Sequence, residues 1–246
     1  MNTEKFISSL RRDLIKQIDL EYQQGFQNYF KEPVRNYGVR SKPLKEIANK
    51  YYLQLKPLSK KEVFAICEKL LGLDYYELSS LAFNFCFRRK QEFTIQDFKL
   101  FTKWLKQYVS NWGYCDTFCT YSFGHLLWQF PELITETDKW VTSSNRWLKR
   151  AVAVILIYPL KKSVDTPKKF NLFLQRSFWV SNKLIKDQDD LVQKGYGWLL
   201  KEASNLDQKV IFDYVMKKKQ IMPRTALRYA IEKMPQSLKQ QAMARD

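Results

Sequence analysis

The sequence predicts an all-α protein, and its composition and its hydrophobic patterning both support this. Only 7 glycines and 8 prolines occur among 246 residues, too few for a β-sandwich or barrel with a turn every ten or so residues. Apolar residues make up 45% of the chain and aromatic residues 15%, enough to offset the ordering entropy of a packed core. Apolar positions recur at helical spacing, so helices with short connections are expected.

The first predicted helix is amphipathic. The apolar residues Phe6, Leu10, Leu14, Ile18 and Tyr22 recur on one stripe, with lysines and arginines between them. This pattern predicts a single opening helix that runs through Tyr22.

Turn-forming residues divide the next part of the chain. The predicted elements are a connection over about residues 32–43, a short basic helix over 44–52, a helix pair over 60–70 and 75–89 joined at Gly72, and a helix over 95–109. A break is expected at Ser110 and Asn111, either of which can cap the following helix.

Segments of similar type then recur at intervals of roughly 34 to 44 residues, the period of helix-pair solenoids such as HEAT and armadillo arrays. They begin at Glu77, Cys115, Leu148, Val192 and Ala226. One helix pair cannot bury its apolar face alone, so neighbouring pairs stack into a curved ribbon. Because no linker divides the chain convincingly, we expect one HEAT-like superhelical domain over residues 1–246.

The charge balance indicates a polyanionic partner. Lysines and arginines number 42 against 25 acidic residues, which gives a formal net charge of +17. A field of this sign attracts nucleic acid first and an anionic membrane surface second. A basic protein without such a partner is the plain alternative.

Cysteine and histidine usage argues against a metal site. The four cysteines follow no CxxC spacing and have apolar or aromatic neighbours, and the chain has one histidine. We therefore expect reduced core cysteines, no metal and no cofactor. The N-terminus is too charged for a signal peptide, and the longest apolar run, residues 151–160, is about half a membrane span. These features predict a cytoplasmic protein without a membrane segment.

Cations and indoles share helical stripes in two of the repeats. Lys194, Trp198 and Lys201 stand at i, i+4 and i+7, and Arg150 follows Trp147 by three residues. If equivalent helices line the concave surface, these side chains form a basic, aromatic track that suits a phosphate backbone. Trp147 itself is predicted to pack in the core.

Four segments of the chain stand out as motifs. They are Asn111-Trp-Gly-Tyr-Cys-Asp116, Ser144-Asn-Arg-Trp-Leu-Lys-Arg150, Gln193-Lys-Gly-Tyr-Gly-Trp198-Leu-Leu-Lys-Glu202 and Tyr37-Gly-Val-Arg-Ser-Lys-Pro43. Together they resemble the DNA alkylation repair family of HEAT-like glycosylases. In the order given, they are similar to its tryptophan–aspartate motif, its phosphate-gripping segment, its second tryptophan helix and its glycine-hydrophobic loop, but the loop is more basic here at Arg40 and Lys42.

The resemblance implies a role for each matched position. Asp116 would be the catalytic carboxylate, Trp112 and Trp198 would flank the deoxyribose of the lesion, and Arg150 would bind the phosphate beside it. Apart from the resemblance, Lys149, Lys194, Lys201 and Arg40 are predicted as further DNA-binding cations. The implied substrate is duplex DNA that contains N3- or N7-alkylated purines, and the implied activity is that of a monofunctional alkylpurine DNA glycosylase in base excision repair.

These residue types fit that chemistry. An N3- or N7-alkylated purine is already cationic, so its departure needs no general acid, and one carboxylate can stabilise the oxocarbenium ion that develops on the sugar. Indole faces attract the same cation through their quadrupole. Trp112 and Asp116, at i and i+4, project from one face of one helix.

Two other hypotheses stay open at this point. The same scaffold, without catalysis, could bind duplex or branched DNA, or a helical array of this type could bind an acidic protein. For the glycosylase hypothesis we expect a monomer that associates with the bacterial nucleoid when it is on DNA.

Overall fold

The computed structural model describes residues 2–244, and in this range it contains helices and turns without a β-strand. The predicted fold class is confirmed, because the chain has an all-α helical repeat fold. Two compact units are formed, one by residues 2–94 with 102–118 and the other by 95–101 with 119–244. The expectation of one superhelical domain with a basic concave face stays a prediction. Within residues 2–244 we find no helix with the length and apolarity needed to cross a bilayer.

The first unit is built from helix pairs. Its helices are α1 (Thr3–Ile15), α2 (Leu20–Phe26), α3 (Ser41–Leu55), α4 (Lys60–Gly72), α5 (Tyr76–Phe87), the C-terminal part of α6 (Asp97–Tyr108), and α7 (Trp112–Phe118). The predicted pair around Gly72 is confirmed as α4 and α5, which pack on each other. Helix α4 begins at a capping box in which Ser59 and Glu62 bond each other's backbone N–H groups, and this fixes its first turn.

The prediction of a single opening helix is wrong. Helix α1 ends at Ile15, and Asp19 caps a new helix by accepting the N–H of Tyr22 at 2.9 Å. The apolar stripe continues across the break, so its period could not reveal it. The connection is also shorter than predicted, because Pro43 lies in the first turn of α3, where the missing N–H of proline costs nothing.

The second unit contains the later repeats. Its helices are α8 (Gly124–Gln129), α9 (Arg146–Val154), α10 (Ile157–Lys162), α11 (Pro167–Leu184), α12 (Asp190–Ser204), α13 (Gln208–Lys218), α14 (Arg224–Ala230) and α15 (Gln236–Met243). A π-helical turn, Cys119–Phe123, precedes α8, and a long 3₁₀ stretch, Pro131–Thr142, follows it. The sequence patterns predicted neither of these two irregular segments.

The segments identified as repeats pack in series within each unit. In the first unit α5 packs on α7, and in the second α9 packs on α12 and α12 on α14. Gly197 permits the last contact, because a Cβ there would lie 2.7 Å from Cβ of Tyr229 and 2.8 Å from the carbonyl oxygen of Ala226. The interval read from the sequence therefore corresponds to successive packed helices.

The core predictions for cysteine and tryptophan are confirmed. All four cysteines lie within the described residues, and they are buried and outside any disulfide; Trp147 is buried at 8% exposure. His125 is also buried and its Nδ1 lies 2.9 Å from the hydroxyl of Tyr158, as expected for a packed histidine.

Candidate active site

Helix α7, which carries Trp112 and Asp116, is fixed at its start by Asn111. Asn111 is 1% exposed, and its Oδ1 accepts the N–H of Tyr114 at 2.9 Å. This confirms Asn111 as the cap. Phe118 stacks on Phe83 of α5 at 4.9 Å between ring centroids. The buried side of α7 is thereby anchored, and Trp112 and Asp116 both lie on its half-buried side.

The indole of Trp112 is held at two points. Its Nε1–H donates to the backbone carbonyl of Tyr29 at 3.0 Å. Its ring stacks on Phe30 with 5.1 Å between centroids and an interplanar angle of 22°. A bond in the ring plane and a stack on one face together fix both the position and the tilt of a half-buried indole.

Tyr76 of α5 packs between Phe30, which supports the Trp112 indole, and α7. Its ring packs on Phe30 at 5.7 Å and on Tyr114 at 5.5 Å. Burial raises the pKa of Tyr76 to about 12, and the negative charges around it, including that of Asp116, act in the same direction. Tyr76 therefore packs beside the support of the indole and lies within the electrostatic influence of Asp116.

Gly113 is what allows Tyr76 to approach α7. A Cβ at Gly113 would lie 2.9 Å from the Tyr76 hydroxyl oxygen and 3.0 Å from its Cε2. Any larger residue at position 113 would push the Tyr76 ring away from the first turn of α7. The glycine between Trp112 and Tyr114 thus has a packing role that the motif alone did not reveal.

The loop before α3 is held by a buried carboxylate. Glu77 is 2% exposed, and it accepts the backbone N–H groups of Tyr37, Gly38 and Val39 at 2.9 to 3.0 Å. Gly38 has φ +79°, and a Cβ there would lie 2.5 Å from Cβ of Gln23. Both the backbone angle and the lack of space require glycine at this position.

Arg40, at the end of this loop, is exposed and ion-paired. Its Nε lies 2.6 Å from Oδ2 of Asp19, and its guanidinium lies 5.0 Å from the centre of the Tyr22 ring. The N–H of Tyr22 and the Arg40 side chain together lower the pKa of Asp19. The predicted DNA-binding cation thus stands at the surface with a carboxylate already beside it.

In the second unit, Arg150 lies inside the α9–α12 contact. It is 5% exposed, and its Nη1 donates to the carbonyl of Leu191. A Cβ at Gly195 of α12 would lie 3.2 Å from Cγ of Arg150. Lys149, next to it, forms a 2.6 Å ion pair with Asp187. The predicted phosphate-gripping segment is therefore tied to the start of α12.

Trp198 belongs to a network of charged groups on α10 and α12. Its Nε1–H donates to Oε1 of Glu202 at 2.9 Å, and Lys161 pairs with Oε2 of the same carboxylate at 3.0 Å. Burial acts to raise the pKa of Glu202, but the hydrogen bonds from Lys161 and Trp198 outweigh it and the pKa is lowered. Glu202 is therefore ionised at neutral pH and orients the indole.

The two predicted DNA-binding cations of α12 also form ion pairs. Lys194 lies 3.1 Å from Asp190, and Lys201 lies 3.0 Å from Glu232 and 5.7 Å from the centre of the Tyr229 ring. The structure thus brings Trp112 together with Asp116 on α7, and Lys194, Trp198 and Lys201 together on α12. Four of the predicted cations, Arg40 among them, face an acidic residue of the chain itself.

Sequence reasoning missed the residues that support these side chains. They are Tyr29, Phe30, Tyr76, Glu77 and Glu202. An acid among apolar residues, as at Glu77, is a recognisable signal for a buried anion with backbone partners. The aromatic pair at 29 and 30 gave no sign of its distant partner, because that contact joins residues about eighty positions apart.

The comparisons with known proteins agree with the fold. Residues 10–234 match the family model described as DNA alkylation repair enzyme. A solved structure described as a predicted DNA alkylation repair enzyme from Enterococcus faecalis is similar with a TM-score of 0.73 at 14% identity, over 89% of this chain and 98% of that one. None of the curated proteins matches the sequence.

The fold and the comparisons together define an all-α helical repeat protein of DNA repair type. Because the family match covers most of the chain, the protein belongs to the DNA alkylation repair enzyme family.

Proposed function

We propose that this protein is a monofunctional DNA glycosylase that hydrolyses the N-glycosidic bond of cationic N3- or N7-alkylated purines in duplex DNA. This would be the first step of base excision repair. The observation that carries the proposal is the pairing of Trp112 with Asp116 on the half-buried side of α7. We expect a cytoplasmic monomer that needs no cofactor and associates with the nucleoid when it is on DNA.

A single carboxylate is enough for this reaction. The alkylated purine leaves as a neutral base from a cationic ground state, so no acid has to protonate it. Positive charge moves onto the deoxyribose as the bond lengthens. An ionised Asp116 stabilises that charge, and it also orients the water that adds to the sugar.

Trp112 is suited to the same transition state. The bond to Tyr29 and the stack on Phe30 hold the indole before substrate arrives, so little freedom is lost on binding. The negative face of an indole attracts a cation by about 0.5 to 2 kcal/mol. This attraction grows as the sugar becomes charged, and so it favours the transition state over the ground state.

Trp198 is proposed as the second indole. Its Nε1–H donates to Oε1 of the ionised Glu202, with 2.9 Å between the nitrogen and the oxygen. Its inclusion rests on the resemblance of the α12 segment to the second tryptophan helix of the family, and its role is tested separately from that of Trp112.

The proposed DNA-binding cations would exchange an acidic side chain for a DNA phosphate on binding. Arg40, Lys149, Lys194 and Lys201 each face an internal carboxylate, so a DNA phosphate has to compete with it. Arg150 is proposed as a phosphate contact because its segment resembles the phosphate-gripping segment of the family; it is 5% exposed, so a phosphate would have to reach the small exposed part of this side chain. Such contacts release counterions and make binding salt-dependent.

The decisive experiment uses duplex DNA with a single 7-methylguanine. We expect the protein to release the free base and to leave an alkali-labile site. Asp116→Asn should slow release by about a hundredfold or more, the scale of a lost electrostatic stabiliser, with little change in affinity for the same duplex. The substitution keeps the size of the side chain, so the melting temperature serves as the folding control.

Two outcomes would contradict the proposal in different ways. Equal loss of binding and base release in Asp116→Asn would make Asp116 a structural residue. Tight binding of the duplex by wild-type protein, without any base release, would favour a non-catalytic DNA-binding protein of the same family.

A further inference from the structure

Two adjacent arginines follow α5 in the first unit, and they are held in different ways. Arg89 pairs with Glu92 at 2.8 Å and donates to the backbone carbonyls of Lys56 and Leu58. The charge of Arg89 is therefore compensated, and its side chain ties the end of α5 to the segment after α3. Arg88, by contrast, bonds only neutral groups of the described residues.

The guanidinium of Arg88 is fixed by three side chains. Its Nε donates to Oδ1 of Asn84 at 2.8 Å, and its Nη2 donates to Oδ1 of Asn49 at 2.5 Å. Its central carbon lies 4.8 Å from the centre of the Tyr52 ring, and the Tyr52 hydroxyl donates to the Arg88 carbonyl at 3.1 Å. The side chain is thus oriented before a ligand arrives, and its positive charge is left in place.

These bonds leave a group of hydrogen-bond donors at the surface. A guanidinium has five N–H groups, of which two bond Asn49 and Asn84, so three remain. Each asparagine presents its Oδ1 to Arg88, so its Nδ2 amide is left as a donor, and both asparagines are exposed. A cation between two amide donors matches an oxyanion, because an oxyanion offers acceptors and charge together.

Two further cations lie on the same stripe of α3. Lys45, Asn49 and Lys56 stand at i, i+4 and i+11 and are all exposed, and this spacing places them along one side of a helix. Over residues 41–56 four lysines stand against one acid, Glu46. The surface beside Arg88 is therefore positively charged.

This arrangement suits a chain of phosphates better than a single small anion. Eleven residues separate Lys45 from Lys56, a length of about 16 Å along a helix, so one phosphate cannot reach both lysines. A DNA strand presents one charge at each nucleotide, and successive phosphates can contact cations along such a stripe.

We propose that this cluster, Arg88 with Asn49 and Asn84, binds a backbone phosphate of duplex DNA, with Lys45 and Lys56 on neighbouring phosphates. The inference rests on the proposed duplex substrate, but it uses none of the residues assigned to base release. The cluster lies at the opposite end of α5 from the tyrosine that packs beside the α7 site. The 12 residues of α5 separate the two by about 18 Å.

The test uses Asn49→Asp, which changes the charge but keeps the bond to Arg88. An aspartate of the same size still accepts the N–H of Nη2, so the melting temperature should be kept. It compensates the guanidinium charge and removes an amide donor. In anisotropy titrations of a short undamaged duplex we expect roughly tenfold weaker binding, the scale of a lost charged hydrogen bond. The slope of log K against log salt concentration should fall by about 0.9.

Gln54→Glu is the matched control, because it makes the same charge change at an exposed position of α3 away from the stripe. It should keep the wild-type salt slope. Arg88→Gln should weaken duplex binding as much as Asn49→Asp does, and its melting temperature reports any loss of packing separately.

The proposal is wrong if Asn49→Asp binds the duplex as Gln54→Glu does. It is also wrong if Arg88→Gln lowers the melting temperature without weakening duplex binding, since Arg88 would then only hold α3 against α5. Both results come from DNA without a lesion, so they do not depend on whether the protein releases 7-methylguanine.

Discussion

The two helices that carry the proposed catalytic tryptophans hold them by different means. On α7, Trp112 is fixed by a backbone carbonyl and a stacked phenylalanine, with Tyr76 packed beside them. On α12, Trp198 is fixed by Glu202, whose other oxygen binds Lys161. The first arrangement depends on aromatic packing and the second on charge.

Because of this difference, the supports of Trp112 on α7 and of Trp198 on α12 should respond differently to salt. Aromatic stacks and bonds to backbone carbonyls are nearly independent of salt, whereas partly exposed ion pairs weaken as salt rises. The predicted cations near α12 have acidic partners, so their local field is weaker than the net charge of +17 suggests. DNA binding should therefore depend more steeply on salt than the stability of α7 does.

The largest expected effect tests the contact between α9 and α12. Arg150→Ala removes a buried stem that packs against Gly195 and a donor to the Leu191 carbonyl. We expect a loss of about 2 kcal/mol of unfolding free energy, measured by chemical denaturation. Loss of one phosphate contact should also reduce the slope of log K for duplex binding against log salt concentration by about 0.9.

Arg150→Lys is the matched control for this change. A lysine keeps the positive charge but lacks the planar guanidinium that bonds the Leu191 carbonyl, so it should restore most of the salt slope and little of the stability. If both variants keep the wild-type slope, Arg150 holds the helices together without contacting DNA.

A smaller effect tests the aromatic side of the comparison. Trp112→Phe keeps a ring to stack on Phe30 but removes the donor to the Tyr29 carbonyl. The expected loss is about 1 kcal/mol of unfolding free energy, equal at low and high salt. Release of 7-methylguanine should slow more than the stability change explains, because the ring loses the bond that fixes its position.

The result that would contradict this picture is a destabilisation of Trp112→Phe that disappears in high salt. That would place Trp112 in a charge network like the one around Trp198. An unchanged rate of base release would remove Trp112 from the proposed site while leaving its packing role intact.

The sequence predicts those parts of the fold that are determined by interactions between residues near each other in the chain. The helix pair at Gly72 and the helix start at Ser110 and Asn111 were predictable because they depend on residues close in sequence, and the repeat interval was predictable because similar segments recur along the chain. The break before α2 was not, since the apolar stripe from Phe6 to Tyr22 passes through it and the deciding bond is the cap at Asp19. The sequence contained the capping residue Asp19, but the continuous apolar period predicted one helix across it.

The candidate site divides in the same way. The spacing of Trp112 and Asp116 placed both on one side of a helix, and the structure shows both half-buried there. Their supports come from far away in sequence, as with Tyr29 and Tyr76, and no periodicity reports such contacts. The burial of Arg150 was hidden because an arginine at a helical position is more often solvated, and only the glycine at 195 makes room for it.

The smallest expected effect tests the charged side of the comparison through pH. Trp198→Phe removes one of the hydrogen bonds that lower the pKa of Glu202 below its ordinary value of 4.5. A lowered carboxyl pKa contributes stability that is present above that ordinary value and is lost as pH falls through the folded-state pKa. Lys161 remains, so the variant should lose only about 0.5 kcal/mol at neutral pH. Below the folded-state pKa, Glu202 is protonated in both proteins and most of this difference should vanish in thermal melts. An equal difference at both pH values would mean that ring packing, and not the Glu202 charge, holds Trp198, and the contrast between α7 and α12 would then be lost.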